Sequence, residues 1–200
     1  VNLFRPNGQF GTRLQGGKDS ASERYIFTQL QNITRKIYPQ YDDNILEYLE
    51  DDGFPVEPIY YMPIIPMVLV NGSKGIGTGF STEILPYHLP TIVDYIKCKL
   101  IAKSTHDIKF IPYYEGFNGT IESITDNKYL VKGKYNLIDD NNIHITELPV
   151  GTWTDDYKQY LETLIDGDKG KKGSIIIKDY KDMSKTTNVD IVVQFSDSAK

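Results

Sequence analysis

The chain has 200 residues, 40% of them hydrophobic, with 22 Lys and Arg against 27 Asp and Glu and a formal net charge of −5. This composition suits one large or two small globular domains, and the acidic balance argues against a uniform nucleic-acid coat. The single cysteine excludes an internal disulfide framework, and the longest apolar run, 64–70, is too short to cross a bilayer, so no membrane partner is expected. Because the chain begins with Val1, we expect it to be a fragment of a longer protein.

The charges are unevenly distributed along the chain. Residues 1–36 contain six basic and two acidic residues, including all four arginines, whereas residues 39–58 contain seven acidic residues and no basic one. Arginine binds phosphate in a bidentate manner, so the first segment is suited to contacts with a DNA backbone. We interpret the acidic segment as a solvated helix and turn.

The first notable motif is a glycine-rich loop at residues 8–19, Gly-Gln-Phe-Gly-Thr-Arg-Leu-Gln-Gly-Gly-Lys-Asp. Four glycines within ten positions allow backbone N–H groups to approach an anion closely. Arg13 and Lys18 add positive charge. The loop therefore predicts phosphate binding.

A helix is predicted to follow this loop. Ser20 and Glu23 have the spacing of a capping box. Apolar residues then recur at helical spacing and predict a buried stripe made of Ile26, Leu30, Ile33 and Ile37. Tyr25 lies about 100° from that stripe, beside Arg24, and need not be buried.

Tyr25 is a candidate nucleophile. A phenolate oxygen attacks phosphorus and holds the product as an ester, but a free pKa of about 10 requires a nearby base, cation or metal. Arg24 is placed to stabilise both the phenolate and the phosphoryl charge. On spacing alone, an ordinary half-buried tyrosine, one of fifteen in the chain, is the more frequent explanation.

The next segment predicts a short helix at 44–49, with inward-facing Ile45, Leu46 and Leu49, and a turn at 51–53. Extended segments are predicted at 56–61 and 64–70, the second fully buried and closed by a turn at 71–72. The paired acids of this region do not predict a metal site, because adjacent side chains point in different directions.

Residues 75–79 read Gly-Ile-Gly-Thr-Gly. They match neither a dinucleotide fingerprint, since Phe80 stands where a glycine is needed, nor a P-loop, since Lys74 precedes the glycines. Ile76 is either a buried turn residue or an apolar wedge that enters between base pairs and kinks a duplex.

The second half predicts an α+β arrangement. A helix is expected at 90–102, with Ile92, Val93, Ile96 and Leu100 on one face, and another is marked by Trp153, Tyr157, Tyr160, Leu161 and Leu164. Strands at 119–124, 129–135 and 143–148, with turns at 126–127 and 139–142, predict an antiparallel meander. An exposed loop is expected at 166–173, followed by strands at 175–177 and 189–195. The three histidines share no metal-ligand spacing, so no metal site is expected.

Two blocks resemble eukaryotic-type type II DNA topoisomerases. Residues 8–28 are similar to the active-site segment of that family, and residues 63–79 match a second segment in the expected order. Weaker similarity to the family's tower domain lies at 117–121 and 145–154. The resemblance implies a mixed α+β fragment, with the end of a winged-helix domain at 1–85 and a truncated tower-like domain at 86–200.

The resemblance also implies a reaction and its residues. Tyr25 attacks a DNA phosphodiester and becomes joined to the 5′ phosphate, with Arg24 stabilising the transition state. Residues 8–18 line the cleaved duplex, and Gln9, Arg13 and Lys18 are the expected DNA contacts. Ile76 falls on the family's intercalating isoleucine, which bends the DNA.

The longer protein is then expected to be an ATP- and Mg²⁺-dependent homodimer that acts on double-stranded DNA, with both cofactors bound outside these 200 residues. It would be located in the nucleus if cellular, or in host cytoplasm or virion if viral. The fragment alone is expected to be inactive. The alternative is a non-catalytic module that binds and bends DNA.

Overall fold

The computed structural model describes residues 1–125, 128–166 and 177–196. The chain forms two compact units, the first made of Val1–Pro6 and Thr28–Tyr114, the second of Asn7–Phe27 and Glu115–Lys200. The predicted turn at 126–127, nearly all of the predicted loop at 166–173, and the first two residues of the strand at 175–177 lie outside the described residues. The domain boundary predicted between residues 85 and 86 stays a prediction.

The first unit contains short strands and helices around a small core. Its elements are β1 Phe4–Asn7, β2 Phe27–Leu30, α1 Thr34–Ile37, a 3-10 turn at Gln40–Ile45, β3 Tyr48–Asp51, β4 Phe54–Pro58, α2 Met67–Asn71, β5 Ser73–Gly77, β6 Phe80–Ile84 and α3 Leu89–Leu100. The end residues Asn7 of β1 and Phe27 of β2 are assigned to the second unit. The strands pair two by two, as β1 with β2, β3 with β4, and β5 with β6. The core consists of Ile37, Met67, Val70 and Ile92, so it is formed by the three helices. The ribbons lie outside it.

The long helix predicted after the glycine-rich loop is wrong. Glu23–Tyr25 form one 3-10 turn without a side-chain cap, β2 follows at once, and α1 covers only Thr34–Ile37. Of the predicted stripe, Ile37 is buried, whereas Leu30 and Ile33 are exposed. The cause is local, because aromatic and β-branched residues from Tyr25 to Thr28 favour a strand, and β1 is available as a partner.

The predicted helix at 44–49 is also wrong. A 3-10 turn ends at Ile45, which is exposed like Leu49, and β3 begins at Tyr48. β3 pairs with β4 through a two-residue turn in which Asp52 and Gly53 have φ of 49° and 80°, so the turn prediction is confirmed. Two consecutive positive φ values characterise the hairpin turn that fits strand twist.

The buried strand predicted at 64–70 is a short helix instead. α2 begins after Pro66, and its buried residues Met67 and Val70 have helical spacing. Proline fixes a φ compatible with a helix start, and a short apolar run does not distinguish strand from helix. In the predicted helix at 90–102, now α3, Ile92 is buried as expected but Leu100 is exposed.

The second unit is built on an antiparallel sheet covered by one helix. Its elements are β7 Thr120–Thr125, β8 Lys128–Lys132, β9 Lys134–Leu137, β10 Asn142–Glu147, α4 Thr154–Asp166, β11 Ile177–Asp182 and β12 Ile191–Phe195. The four-stranded sheet has the order β11-β12-β10-β9, whereas β7 and β8 form a separate hairpin, so the single predicted meander is wrong. The break comes at Gly133, where a Cβ atom would lie 2.2 Å from the carbonyl oxygen of Glu147. The predicted helix after Trp153 and the strand at 189–195 are confirmed.

The core of the second unit lies between this sheet and α4. Its buried residues are Ile145, Leu148, Leu161, Ile177, Val189, Ile191 and Val193. In β12, Ile191 and Val193 are buried at alternate positions, as a strand with one buried face requires. This core packs one face of the sheet against α4.

Candidate functional site

Residues 8–26, called the glycine loop below, form a closed structure within the second unit. The Ala21 N–H donates to the carbonyl oxygen of Gln9 at 2.9 Å. Further along, the Thr12 N–H donates to Asp19 Oδ1 at 2.8 Å, and the Thr12 hydroxyl donates to Asp19 Oδ2 at 2.5 Å. At the base, a Cβ on Gly8 would lie 2.9 Å from the carbonyl oxygen of Tyr25. The two arms of the loop are therefore joined at several levels.

The tip of the glycine loop lies on the sheet and helix of the second unit. The Arg13 guanidinium donates to the carboxylate of Glu147, and the Asp155 N–H donates to the carbonyl oxygen of Leu14 at 3.0 Å. Gly16 lies against the indole of Trp153, where a Cβ would come within 2.2 Å of the ring. The loop is thus anchored at its far end by a charge, a backbone hydrogen bond and a ring contact.

Glu147 is an almost completely buried acid, only 2% exposed. Burial opposes ionisation, but Arg13 and the N–H groups of Asn118 and Leu148, each 3.0 Å away, hold its pKa below the ordinary glutamate value. A buried carboxylate with three donors is stable as the anion. The loop tip is therefore bound to a fixed negative charge.

The candidate nucleophile lies at the base of the same loop. Tyr25 is 64% exposed, and the guanidinium carbon of Arg24 lies 5.3 Å from its ring centroid, within cation–π range. The 3-10 turn at Glu23–Tyr25 positions both side chains together. The arrangement presents a phenol and a cation to solvent, where an incoming phosphate has access to both.

The structure brings five predicted site residues into one loop. Gln9 and Lys18 are exposed on it, together with Arg24 and Tyr25. Arg13 is on the same loop, but its guanidinium is engaged with Glu147. The role of Arg13 as a phosphate contact stays a prediction, because the ion pair with Glu147 competes with phosphate for the same guanidinium.

Ile76, the sixth predicted site residue, lies in the first unit on the β5–β6 hairpin. It is 89% exposed and pairs across the hairpin with Ser81, next to the turn at residues 78–79. The neighbouring pair is Gly77 with Phe80, so the exposed Phe80 side chain emerges on the opposite face from Ile76. Two large apolar side chains therefore extend from one narrow ribbon.

The described ranges, 1–125, 128–166 and 177–196, contain no group of three or more His, Cys, Asp or Glu residues that would hold a metal ion. The Mg²⁺ that the family resemblance implies therefore has no fitting ligand set in that part of the chain. Two histidines have structural contacts: His144 pairs with Asp190 at 2.8 Å, and His88 packs against Tyr113. Within the same ranges, no helix has the length and apolar character needed to span a membrane.

Sequence reasoning did not single out Glu147, Trp153 and Phe80 as site residues. The signal for Glu147 was available, because period-two alternation in β10 places it on the same face as buried Ile145. An acid on a core face requires a cation or several donors. For Phe80, the signal was an aromatic residue immediately after a two-residue hairpin turn.

The fold defines the class of protein. The Plasmodium falciparum topoisomerase II DNA-binding, cleavage and re-ligation domain has a similar structure, with a TM-score of 0.91 and 42% identity over 100% of this chain and 26% of that one. The DNA gyrase/topoisomerase IV A-subunit family model matches residues 1–200. The chain belongs to this family.

Curated relatives agree with that assignment. DNA topoisomerase 2-alpha of Gallus gallus is 48% identical over 198 residues, which are 98% of this chain and 12% of the relative. A DNA topoisomerase 2 of Caenorhabditis elegans is 49% identical over 197 residues, 98% of this chain and 13% of the relative. The chain thus spans about an eighth of these relatives. The predicted resemblance to eukaryotic type II topoisomerases and the α+β fold class are confirmed.

Proposed function

We propose that this chain is the nucleophile-bearing part of an ATP-dependent type II DNA topoisomerase. The observation that carries the proposal is the exposed Tyr25 with Arg24 over its ring, on a loop fixed at both ends. Family membership gives the reaction class, and this loop is the part of the chain with the chemistry for it.

In the proposed step, the Tyr25 Oη attacks a DNA phosphorus and loses its proton to solvent or a base. A P–O bond forms to tyrosine while the bond from phosphorus to the 3′ oxygen breaks. The leaving 3′ oxygen takes a proton from solvent, which gives a 3′ hydroxyl and a 5′ phosphotyrosyl ester. Arg24 stabilises the charge on the phosphoryl oxygens. Because the ester conserves the energy of the broken bond, the 3′ hydroxyl reverses the step without a separate ligase reaction.

The remaining residues position DNA. Gln9 and Lys18 contact the backbone of the cleaved duplex beside the nucleophile. Arg13 is a third proposed contact if its guanidinium leaves the ion pair with Glu147. Ile76 enters between base pairs and bends the duplex, which its exposure and its place near a hairpin turn support. The proposed division is a winged-helix part at 1–85 and a tower-like part at 86–200.

The complete protein is proposed to be a homodimer that cuts both strands of double-stranded DNA, passes a second duplex and religates. It uses Mg²⁺ and ATP bound by domains outside this chain, so residues 1–200 alone are inactive. A nuclear location follows for a cellular enzyme, and host cytoplasm or virion for a viral one.

A second candidate is an architectural module that bends DNA without cutting it. The hairpin favours it, because Ile76 and Phe80 extend from opposite faces of the ribbon and both are exposed. The two functions differ in whether Tyr25 becomes covalently attached to DNA.

The test uses the intact protein on nicked DNA with magnesium. Wild-type protein is expected to yield a protease-sensitive covalent adduct, and Tyr25→Phe is expected to yield none, because the hydroxyl is the nucleophile. Tyr41→Phe is the matched control, since Tyr41 is also an exposed tyrosine at a 3-10 turn. An adduct that persists in Tyr25→Phe contradicts the assignment, and no adduct from wild type favours the architectural module.

A further inference from the structure

We propose that Glu147 is a positioning residue for DNA cleavage, acting through Arg13 to hold the glycine loop, and with it Tyr25, in the orientation that the reaction requires. The inference rests on the proposed function and extends it to a residue 122 positions away from the nucleophile in the sequence.

The first support is the cost of this arrangement to the fold. Glu147 lies on the core face of β10 beside Ile145, where an apolar residue would be expected. Keeping an ionised carboxylate there requires all three of its donors, two from the backbone and one from Arg13. Arg13 is the only one of these donors that comes from the glycine loop.

The second support is a continuous set of contacts from Glu147 to Tyr25. Arg13 adjoins Thr12, whose N–H and hydroxyl join Asp19 on the opposite arm. The two arms are joined again by the hydrogen bond from the Ala21 N–H to the Gln9 carbonyl oxygen. At the base of the loop, Gly8 packs closely against the backbone of Tyr25. A shift of the tip is therefore passed along a braced loop to the residue that carries the nucleophile.

The competing role for Arg13 is direct phosphate binding, and Glu147 distinguishes the two roles. If Arg13 binds phosphate, Glu147→Gln frees its guanidinium, so DNA affinity rises and its salt dependence becomes steeper. If Arg13 positions the loop, Glu147→Gln loosens the loop, so cleavage falls while DNA affinity stays unchanged. The two predictions differ in the quantity that changes.

The experiment uses the full-length protein with Glu147→Gln, Arg13→Gln and the double variant. Glu122→Gln is the control, because Glu122 is an exposed carboxylate that also pairs with a cation, Lys132, at 2.8 Å. The covalent adduct is measured at saturating DNA, and DNA affinity is measured by fluorescence anisotropy. Misplacement of a reacting group by about 1 Å costs on the order of 100-fold, so we expect at least about a tenfold loss of adduct in each variant.

Three results together would support the proposal: equal losses of adduct in both single variants, no further loss in the double variant, and unchanged DNA affinity in Glu147→Gln. Hydrogen exchange by mass spectrometry is expected to show faster exchange in residues 8–26 only. That measurement does not depend on activity, so it separates this inference from the proposed function, which fails if Tyr25→Phe keeps the adduct.

Either of two results would overturn it. Tighter DNA binding in Glu147→Gln would assign Arg13 to phosphate. Loss of protection from hydrogen exchange throughout β12 as well as the glycine loop would show that Glu147 stabilises the whole second unit and does not act specifically on the loop.

Discussion

Replacing Gly16 with alanine tests how the glycine loop is seated. The residue has a φ of +61°, where a side chain costs about 1–2 kcal/mol. The new methyl carbon would also lie 2.2 Å from Trp153 Cε2 and 2.3 Å from its Nε1. Since the indole is rigid, relief requires movement of the ring or the loop, and overpacking of this kind costs about 1–3 kcal/mol. The total expected loss of unfolding free energy is about 2–5 kcal/mol.

Gly17→Ala is the matched control. Gly17 has a φ of +88°, but a Cβ there meets nothing within 4 Å, so the substitution carries the backbone cost without the ring contact. The assay is urea unfolding followed by the fluorescence of Trp153, the single tryptophan of the 200-residue chain. Gly16→Ala is expected to be less stable than Gly17→Ala by about 1–3 kcal/mol. Equal losses would refute the seating of the loop on Trp153.

Three further outcomes are expected. Ile76→Ala reduces DNA bending measured by energy transfer and leaves initial binding largely intact. Equal bending in the variant and the wild type would contradict the proposal that Ile76 enters between base pairs. Leu161→Ala, at a core position that is 1% exposed, costs about 2–5 kcal/mol in denaturant unfolding, whereas exposed Leu137→Ala stays within about 0.5 kcal/mol. Hydrogen bonds from Thr12 lower the pKa of Asp19. Their contribution to the stability of the folded loop is therefore complete above the ordinary aspartate pKa of 3.8, and it is lost as the pH falls through the lower pKa of the folded state. Hydrogen exchange of the glycine loop in acid is expected to show this loss. Thr12→Val is expected to weaken its pH dependence, because the N–H of residue 12 still donates to Asp19 Oδ1.

The second unit was the more predictable part of the fold. Alternation in residues 143–148 and 189–195 and helical spacing after Trp153 match β10, β12 and α4, because each element buries one face in a shared core. What sequence did not reveal was that residues 129–135 divide into β8 and β9. That division depends on the close approach of Gly133 to Glu147, which is a contact between distant residues.

The first unit was less predictable because its elements are short. Ile26, Leu30, Ile33 and Ile37 have helical spacing, yet strand pairing with β1 outweighs it and leaves most of that stripe outside the core. A pattern of four residues does not record which partner strand is available. Whether a short segment forms a helix or a strand therefore depends on the segments that pack against it in the folded chain.

The candidate site shows the same limit. Adjacency in sequence was enough to place Arg24 beside Tyr25, and the glycines correctly indicated a tight loop. Charge and the family resemblance assigned Arg13 to DNA, and neither indicates its buried partner, Glu147, 134 residues away. A long-range partner of this kind leaves no trace near the arginine itself.

That separation has a consequence for biosynthesis. A chain emerging from the ribosome presents Tyr25 long before Glu147, Trp153 and Asp155 have been made. Contacts between such distant residues form late because a large loop must close first. While the residues between them are synthesised, the proposed nucleophile sits on an unanchored segment, and its loop is completed only when the second unit folds. Synthesis order thus delays the proposed DNA-cutting geometry until the second unit has folded around the loop.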